Sequence, residues 1–270
     1  MPQYFTREEI IPCVVHLKQK RVKKIELEGK EAELWLKKQG EKDPEPLYEY
    51  VSGTAFILAS DDQKLFLVTA EHVAREMSSS ALVILKGEKG NSVQLNIKDL
   101  GKFKDPLPWC VHPEADVAVL PLTPSQNVMI KFLSGRFLPK SLLSNEKQAP
   151  SRDTPLTVIG FFPELGSSGT FSPLTKQTFA ASDLVSFPRA DNKKVTTFFV
   201  LEDPSIGGYS GGPVFDVSVY KLGQMTTTGE GTRLLGLIHG TLSDKTGGKL
   251  AAVVPSFFIL ETIKLALSKE

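Results

Sequence analysis

Short apolar runs alternate with clusters of Gly, Pro, Asn and Asp along most of this chain. That rhythm belongs to antiparallel β structure, as in barrels and sandwiches. It predicts strands over residues 52–59, 65–70, 81–86, 92–97, 116–121, 155–160, 179–187, 196–201, 213–218, 233–239 and 250–254. Residues 123–154 lack strong periodicity and read as a connection between two β units. Two stretches change period. Residues 23–40 are rich in helix formers and charge, and from Glu31 they read as a short amphipathic helix. This insertion is either a docking element or a solvated surface excursion. Asp43-Pro44-Glu45-Pro46 then breaks regular structure. Ser256 to Leu267 predicts a closing helix, with Ser256 as its cap and Phe257, Leu260, Ile263, Lys264 and Leu267 near one face.

Three segments carry candidate chemistry. Gly207-Gly208-Tyr209-Ser210-Gly211-Gly212-Pro213-Val214 sets a serine in a glycine-walled turn ahead of a strand. Glycines permit tight turns and let backbone lie close to a ligand. Such a turn can aim consecutive N–H groups at one point, as a developing oxyanion requires. Read blandly, it is a Gly-rich hairpin loop. Leu65-Phe66-Leu67-Val68-Thr69-Ala70-Glu71-His72 is an apolar run ending in a histidine, either a general base held at a cleft or a strand-end cap. In His112-Pro113-Glu114-Ala115-Asp116-Val117-Ala118-Val119-Leu120, Asp116 opens an apolar run. It is either the carboxylate that orients an imidazole or an ordinary turn residue.

Together these segments resemble the trypsin-like (chymotrypsin-fold) serine peptidases. That superfamily reads Thr-Ala-x-His, then Asp-[Ile/Val]-Ala-[Leu/Val]-Leu, then Gly-x-Ser-Gly-Gly-Pro. Thr69-Ala70-Glu71-His72, Asp116-Val117-Ala118-Val119-Leu120 and Gly208-Tyr209-Ser210-Gly211-Gly212-Pro213 follow in the same order. Upstream, Val51 to Leu58 is similar to the strand before the histidine in the HtrA-like branch, and Ile11 to Leu17 to that branch's first strand. The resemblance implies an all-β fold of two antiparallel six-stranded barrels, with a C-terminal helix and a short helical insertion near the N-terminus. The layout is then one peptidase domain over 1–270. Residues 1–130 form the first barrel, with an insertion at about 18–50. Residues 131–154 form the connection, 155–255 the second barrel and 256–270 the helix. It implies Ser210 as nucleophile, His72 as general base and Asp116 as its orienter. The oxyanion loop is Gly208, Tyr209 and Ser210, with the N–H groups of Gly208 and Ser210 as donors. The substrate is a protein or peptide, and no cofactor is needed.

Departures from the pattern matter as much. Tyr209 stands where trypsin-type zymogens carry an acidic residue, so activation by N-terminal cleavage is not expected. The HtrA-like branch is controlled by loop ordering instead, and Phe161 to Lys176 occupies the place of such a loop. Its Gly and Ser content predicts mobility. A latent enzyme switched on by a partner is therefore one alternative, and a pseudoprotease binding module another. Glu71 replaces a small residue and either sits in solvent or perturbs His72. The specificity pocket is expected from Pro204, Ile206 and Gly207 on one side and His239, Gly240 and Thr241 on the other. His239 resembles the histidine of the Gly-x-His-x-Gly strand in picornaviral-type proteases. It either reads a polar or acidic side chain or faces a neighbouring loop. Without it, Pro204 and Ile206 suggest a small apolar pocket, and Asp203 enters only if the alignment shifts by one residue.

Composition adds bounds. The chain has 270 residues, 41% of them hydrophobic, enough for one sizeable core or two small ones. A net charge of +1 gives no reason to expect nucleic acid or an anionic membrane as partner. No apolar stretch approaches bilayer length. The N-terminus has no secretory pattern, and the cytoplasm is the expected compartment. Cys13 and Cys110 read as buried thiols. The four histidines show no metal-site spacing, and His16 and His112 read as structural. The oligomeric state is left open.

Overall fold

The computed structural model describes residues 3–22, 48–163, 165–217, 219–222, 225–229 and 231–269. Two antiparallel sheets account for most of it. The first contains β1 (Val14–Val22), β2 (Tyr48–Ala59), β3 (Leu65–Thr69), β4 (Leu82–Lys86), β5 (Ser92–Asn96), β6 (Cys110–Val111) and β7 (Ala118–Leu122), in the order β5-β4-β1-β2-β3-β7-β6. The short β8 (Leu138–Pro139) joins it parallel to β2. The second contains β9 (Leu156–Gly160), β10 (Leu174–Thr178), β11 (Val185–Pro188), β12 (Val195–Leu201), β13 (Pro213–Asp216), β16 (Arg233–Ser243) and β17 (Lys249–Pro255), in the order β10-β9-β13-β16-β17-β12-β11. β14 (Val219–Leu222) and β15 (Met225–Thr228) form a separate hairpin.

The central strands read as unbroken apolar runs because both of their faces are covered. All five residues of β3 and all five of β9 are buried. The edge strands β10 and β11 are mostly exposed and correspondingly polar. One core cluster takes side chains from both sheets, including Phe56, Leu67 and Val119 with Phe161, Phe198 and Leu237. A smaller one, including Val158, Tyr209, Val214 and Ile238, belongs to the second sheet. Cys13 and Cys110 are buried free thiols.

Most predicted strands are present within a residue or two. The run 179–187 is not one strand. β10 ends at Thr178 and β11 starts at Val185, with Ala180 bridging Leu201 between them. Ser182 breaks the run by taking the Val200 N–H on its own hydroxyl at 3.0 Å, a local bond that competes with the ladder. The insertion is narrower than 18–50, because β1 and β2 stay paired out to Val22 opposite Tyr48. The helix expected from Glu31 lies outside the described residues.

The closing helix is Ser256–Leu267, and it packs on β6, β7, β16 and β17. Its cap is Pro255 rather than Ser256, whose hydroxyl donates instead to Ser144 O at 2.7 Å. Its buried face is also broader than expected. Phe258, Ile259, Thr262 and Ala266 join Phe257 and Ile263, while Lys264 is exposed. Among the described residues no helix is long and apolar enough to cross a membrane.

Candidate functional site

β3 ends at Thr69, and the chain turns at once into the helical turn Glu71–Ala74, which carries His72. Thr69 Oγ1 donates to Thr54 O of β2 at 2.7 Å, tying the strand end down. His72 is about one-quarter exposed, so its ring reaches solvent from a fixed base. Asp116 lies just before β7, the neighbour of β3, and is fully buried. Its Oδ1 accepts the backbone N–H of His72 at 3.0 Å, and its Oδ2 meets His72 Nδ1 at 2.8 Å. The turn that presents Asp116 is built on His112. Nδ1 of His112 accepts N–H groups from Glu114 at 3.1 Å and Ala115 at 3.0 Å. That leaves Nε2 of His112 as the donor to Glu261 on the closing helix, 3.2 Å away.

Ser210 comes from the second sheet, in the turn before β13. The first sheet holds that turn. Thr54 N–H donates to Ser210 O at 2.8 Å, and Thr54 Oγ1 donates to Gly208 O at 2.7 Å while accepting Phe161 N–H at 3.0 Å. Gly208 has φ +89 and Gly211 φ +82, where side chains rarely fit. A Cβ at Gly208 would overlap Phe161 O, and one at Gly211 would overlap Thr54 O and Thr69 Oγ1. Among the described residues, nothing accepts from the N–H of Gly208 or of Ser210. Tyr209 is different. Its N–H is already given to Ile206 O at 3.0 Å, and its ring is buried in the second sheet's core. Tyr209 therefore shapes the loop, and its N–H is not free as those of Gly208 and Ser210 are.

Ser210 Oγ donates to the carbonyl of His239 at 3.0 Å. His239 itself departs from its expected place on a pocket wall. The β16–β17 register shifts between Ile238 and Gly240, so His239 sits at an irregularity. Its side chain turns inward and is 5% exposed. Nδ1 of His239 meets Asp116 Oδ2 at 2.5 Å, and the ring stands edge-on to His72 and against Phe198. Asp116 thus faces two imidazoles on one oxygen. Burial alone would push its carboxyl up. The hydrogen bonds from His239 and His72 outweigh that and hold it well below the usual carboxylate range.

His72, Asp116 and His239 bring three potential metal-ligand atoms within 4.8 Å of one another. Both Nδ1 atoms already meet the carboxylate, and a guanidinium nitrogen of Arg189 stands 2.7 Å from it. A dication there would face that cation, so the set fits proton chemistry better than a metal.

Of the other expected pocket residues, Gly240 and Thr241 lie on β16, and Pro204, Ile206 and Gly207 lie in the loop between β12 and β13. Pro204 lines a small cavity of about 10 Å³ with Ser205, Tyr209, Ile238, Ala251 and Thr178. Thr241 Oγ1 donates to Ser205 O at 3.0 Å, while Ile206 and Gly207 are exposed. Gly240 has open space where a side chain would stand. Asp203 sits 3.6 Å from Lys176, a surface ion pair at the rim. The loop from Phe161 is more tightly held than its composition suggests. Ser92 N–H donates to Gly169 O at 2.7 Å, Phe171 N–H to Gly90 O at 3.0 Å, and Ser167 Oγ pairs with His16 Nδ1 at 2.7 Å.

One residue beside Asp116 carries no mark in the sequence. Arg189 follows β11 in a turn, and nothing in Pro188-Arg189-Ala190-Asp191 sets it apart from a solvated arginine. It is nevertheless 1% exposed and paired to three carboxylates, one of them Asp116.

A family model described as a trypsin-like peptidase domain matches residues 53–222. Among solved structures, the HtrA-type protease AlgW with a decapeptide aligns with a TM-score of 0.55 and 15% identity. That alignment covers 97% of this chain and 66% of AlgW. The active form of the Rv3671c protease from M. tuberculosis aligns with a TM-score of 0.50 and 15% identity, over 95% of this chain and 82% of that one. At such identities the likeness establishes the fold. No curated protein matches the chain in sequence.

Proposed function

The chain belongs to the trypsin-like peptidase domain family, and from that premise we propose that it is a serine endopeptidase working through Ser210, His72 and Asp116. Ser210 Oγ attacks the peptide carbonyl. His72 takes the hydroxyl proton and returns it to the leaving amine, and Asp116 holds the imidazole in the tautomer that can do so. The observation that carries the reading is the fully buried Asp116 bonded to both the backbone and the ring of His72. The N–H groups of Gly208 and Ser210 would receive the oxyanion. Beyond Ile238, whose N–H and carbonyl bond Gly212 and Gly211, β16 pairs with β17 on one side and with no described strand on the other. That free side suits an extended substrate backbone. No cofactor enters this scheme.

A second reading draws on the bond from Ser210 Oγ to His239 O. Attack requires the hydroxyl to leave that carbonyl for His72 Nε2. A resting enzyme with its serine parked on His239, released when substrate or a partner seats beside β16, fits the same residues.

Labelling with a fluorophosphonate probe tests both. Wild type is expected to label, with Ser210→Ala and His72→Ala silent. Labelling that appears only when a protein substrate is added selects the latent form. A folded wild type that labels under neither condition would falsify the endopeptidase reading.

A further inference from the structure

Arg189 is among the largest fully buried side chains in the molecule, and it ends on the oxygen of Asp116 that His72's ring does not use. Its other contacts are Glu71 Oε2 at 2.5 Å and Asp191, whose Oδ1 it meets at 2.8 Å and Oδ2 at 2.7 Å. Arg75 closes the figure, 3.1 Å from Glu71 and 2.9 Å from Asp191. Three carboxylates therefore face two guanidinium groups, and one negative charge is left over. That excess balances one imidazolium and not two. Buried charge is tolerated only when paired this closely.

The turn that supplies Arg189 is itself closed. Arg189 N–H donates to Lys194 O at 2.9 Å, and Lys193 N–H donates to Arg189 O at 3.1 Å. Glu71 precedes His72 directly, so the cluster grips the histidine's own helical turn as well as its carboxylate.

We propose that Arg189 is a positioning residue for the triad. With Glu71, Asp191 and Arg75 it forms a charge clamp that fixes Asp116 and sets how readily His72 accepts the serine proton. The proposal rests on the endopeptidase reading for its consequence in catalysis. The groups facing His72 are Asp116 from the turn before β7, Glu71 and Arg75 from its own turn, Arg189 and Asp191 from the turn after β11, and His239 and Ser210 from the second sheet.

The experiment is an NMR titration of the His72 ring, assigned by its loss in His72→Gln. It compares wild type with Arg189→Met, Arg189→Lys and Asp191→Asn, beside the pH dependence of phosphonylation of Ser210. Removing the cation in Arg189→Met is expected to raise the His72 midpoint by about one pH unit. Asp191→Asn removes an anion and is expected to lower it. Arg189→Lys keeps the charge and stays near wild type in midpoint, yet phosphonylates more slowly because an ammonium cannot bridge three carboxylates. The acid limb of phosphonylation follows the midpoint in each case. Asp191 is one-fifth exposed, so Asp191→Asn and Arg189→Lys decide the matter if Arg189→Met does not fold. An unchanged midpoint in Asp191→Asn, or in a folded Arg189→Met, would overturn the proposal. Ring titration needs no turnover, so a wild type that never labels would sink the endopeptidase reading while the opposed shifts still stood.

Discussion

Gly208 shows how much chemistry one missing side chain permits. Its φ of +89 and the closeness of Phe161 O leave no place for a methyl group. Gly208→Ala is expected to cost about 1–2 kcal/mol of stability from the backbone conformation alone. It should also turn an oxyanion donor away, slowing fluorophosphonate labelling by on the order of 100-fold. Urea unfolding and labelling rates measured on the same preparation would check both. Full labelling speed in a destabilised Gly208→Ala would mean that the N–H of residue 208 is not a donor to the transition state.

At the scale of elements, the legible parts were those that repeat a local rule. β3 and β9 announce themselves as buried apolar runs, and the serine turn by the glycines its geometry demands. Ser182 hid the break between β10 and β11, because a side chain competing with the ladder looks like any polar strand residue. His239 was visible but misplaced, since an irregularity in β16–β17 pairing is set by the two strands jointly and has no mark in either. Arg189 was invisible because its partners come from two other segments. His112 was legible as structural, yet its task appears only in three dimensions. Its ring accepts two N–H groups of the turn that aims Asp116 and leans on Glu261 of the closing helix. His112→Phe keeps the bulk against Phe258 and loses those bonds. Labelling is expected to fall tenfold or more, on the order seen when a catalytic group is slightly misplaced. Glu261→Gln, which keeps an acceptor for Nε2, should lose far less. Equal losses in the two variants would show that the helix contact, and not the turn, is what matters.

Across the whole molecule the two sheets meet through His16 as well as through the site. The ring stacks on Phe161 at 4.9 Å, and Nδ1 pairs with Ser167 of the second sheet's loop. Burial lowers its pKa from 6.5 to about 3, with the charge of Lys18 adding to the effect. The unfolded chain therefore takes up a proton below about pH 6.5 that the folded chain refuses until about pH 3. Stability contributed by the neutral ring is complete above that window and is lost as pH falls through it. Between pH 7 and pH 5 the loss is about 2 kcal/mol for one such group. His16→Phe, with no proton to bind, should lose that much less than wild type over the same interval in urea midpoints. Parallel pH profiles would show that His16 is not the group responsible.

The serine turn is gripped by Thr54, a residue of the other sheet from more than half the chain away. Loops closed over such distances form late, after each half has largely collapsed. A chain still being synthesised, or one cut between the sheets, holds its hydroxyl and its imidazole on separate bodies. If the proposed pairing of Ser210 with His72 is the working one, either half would pass among other unfolded chains without cutting them until the two had docked.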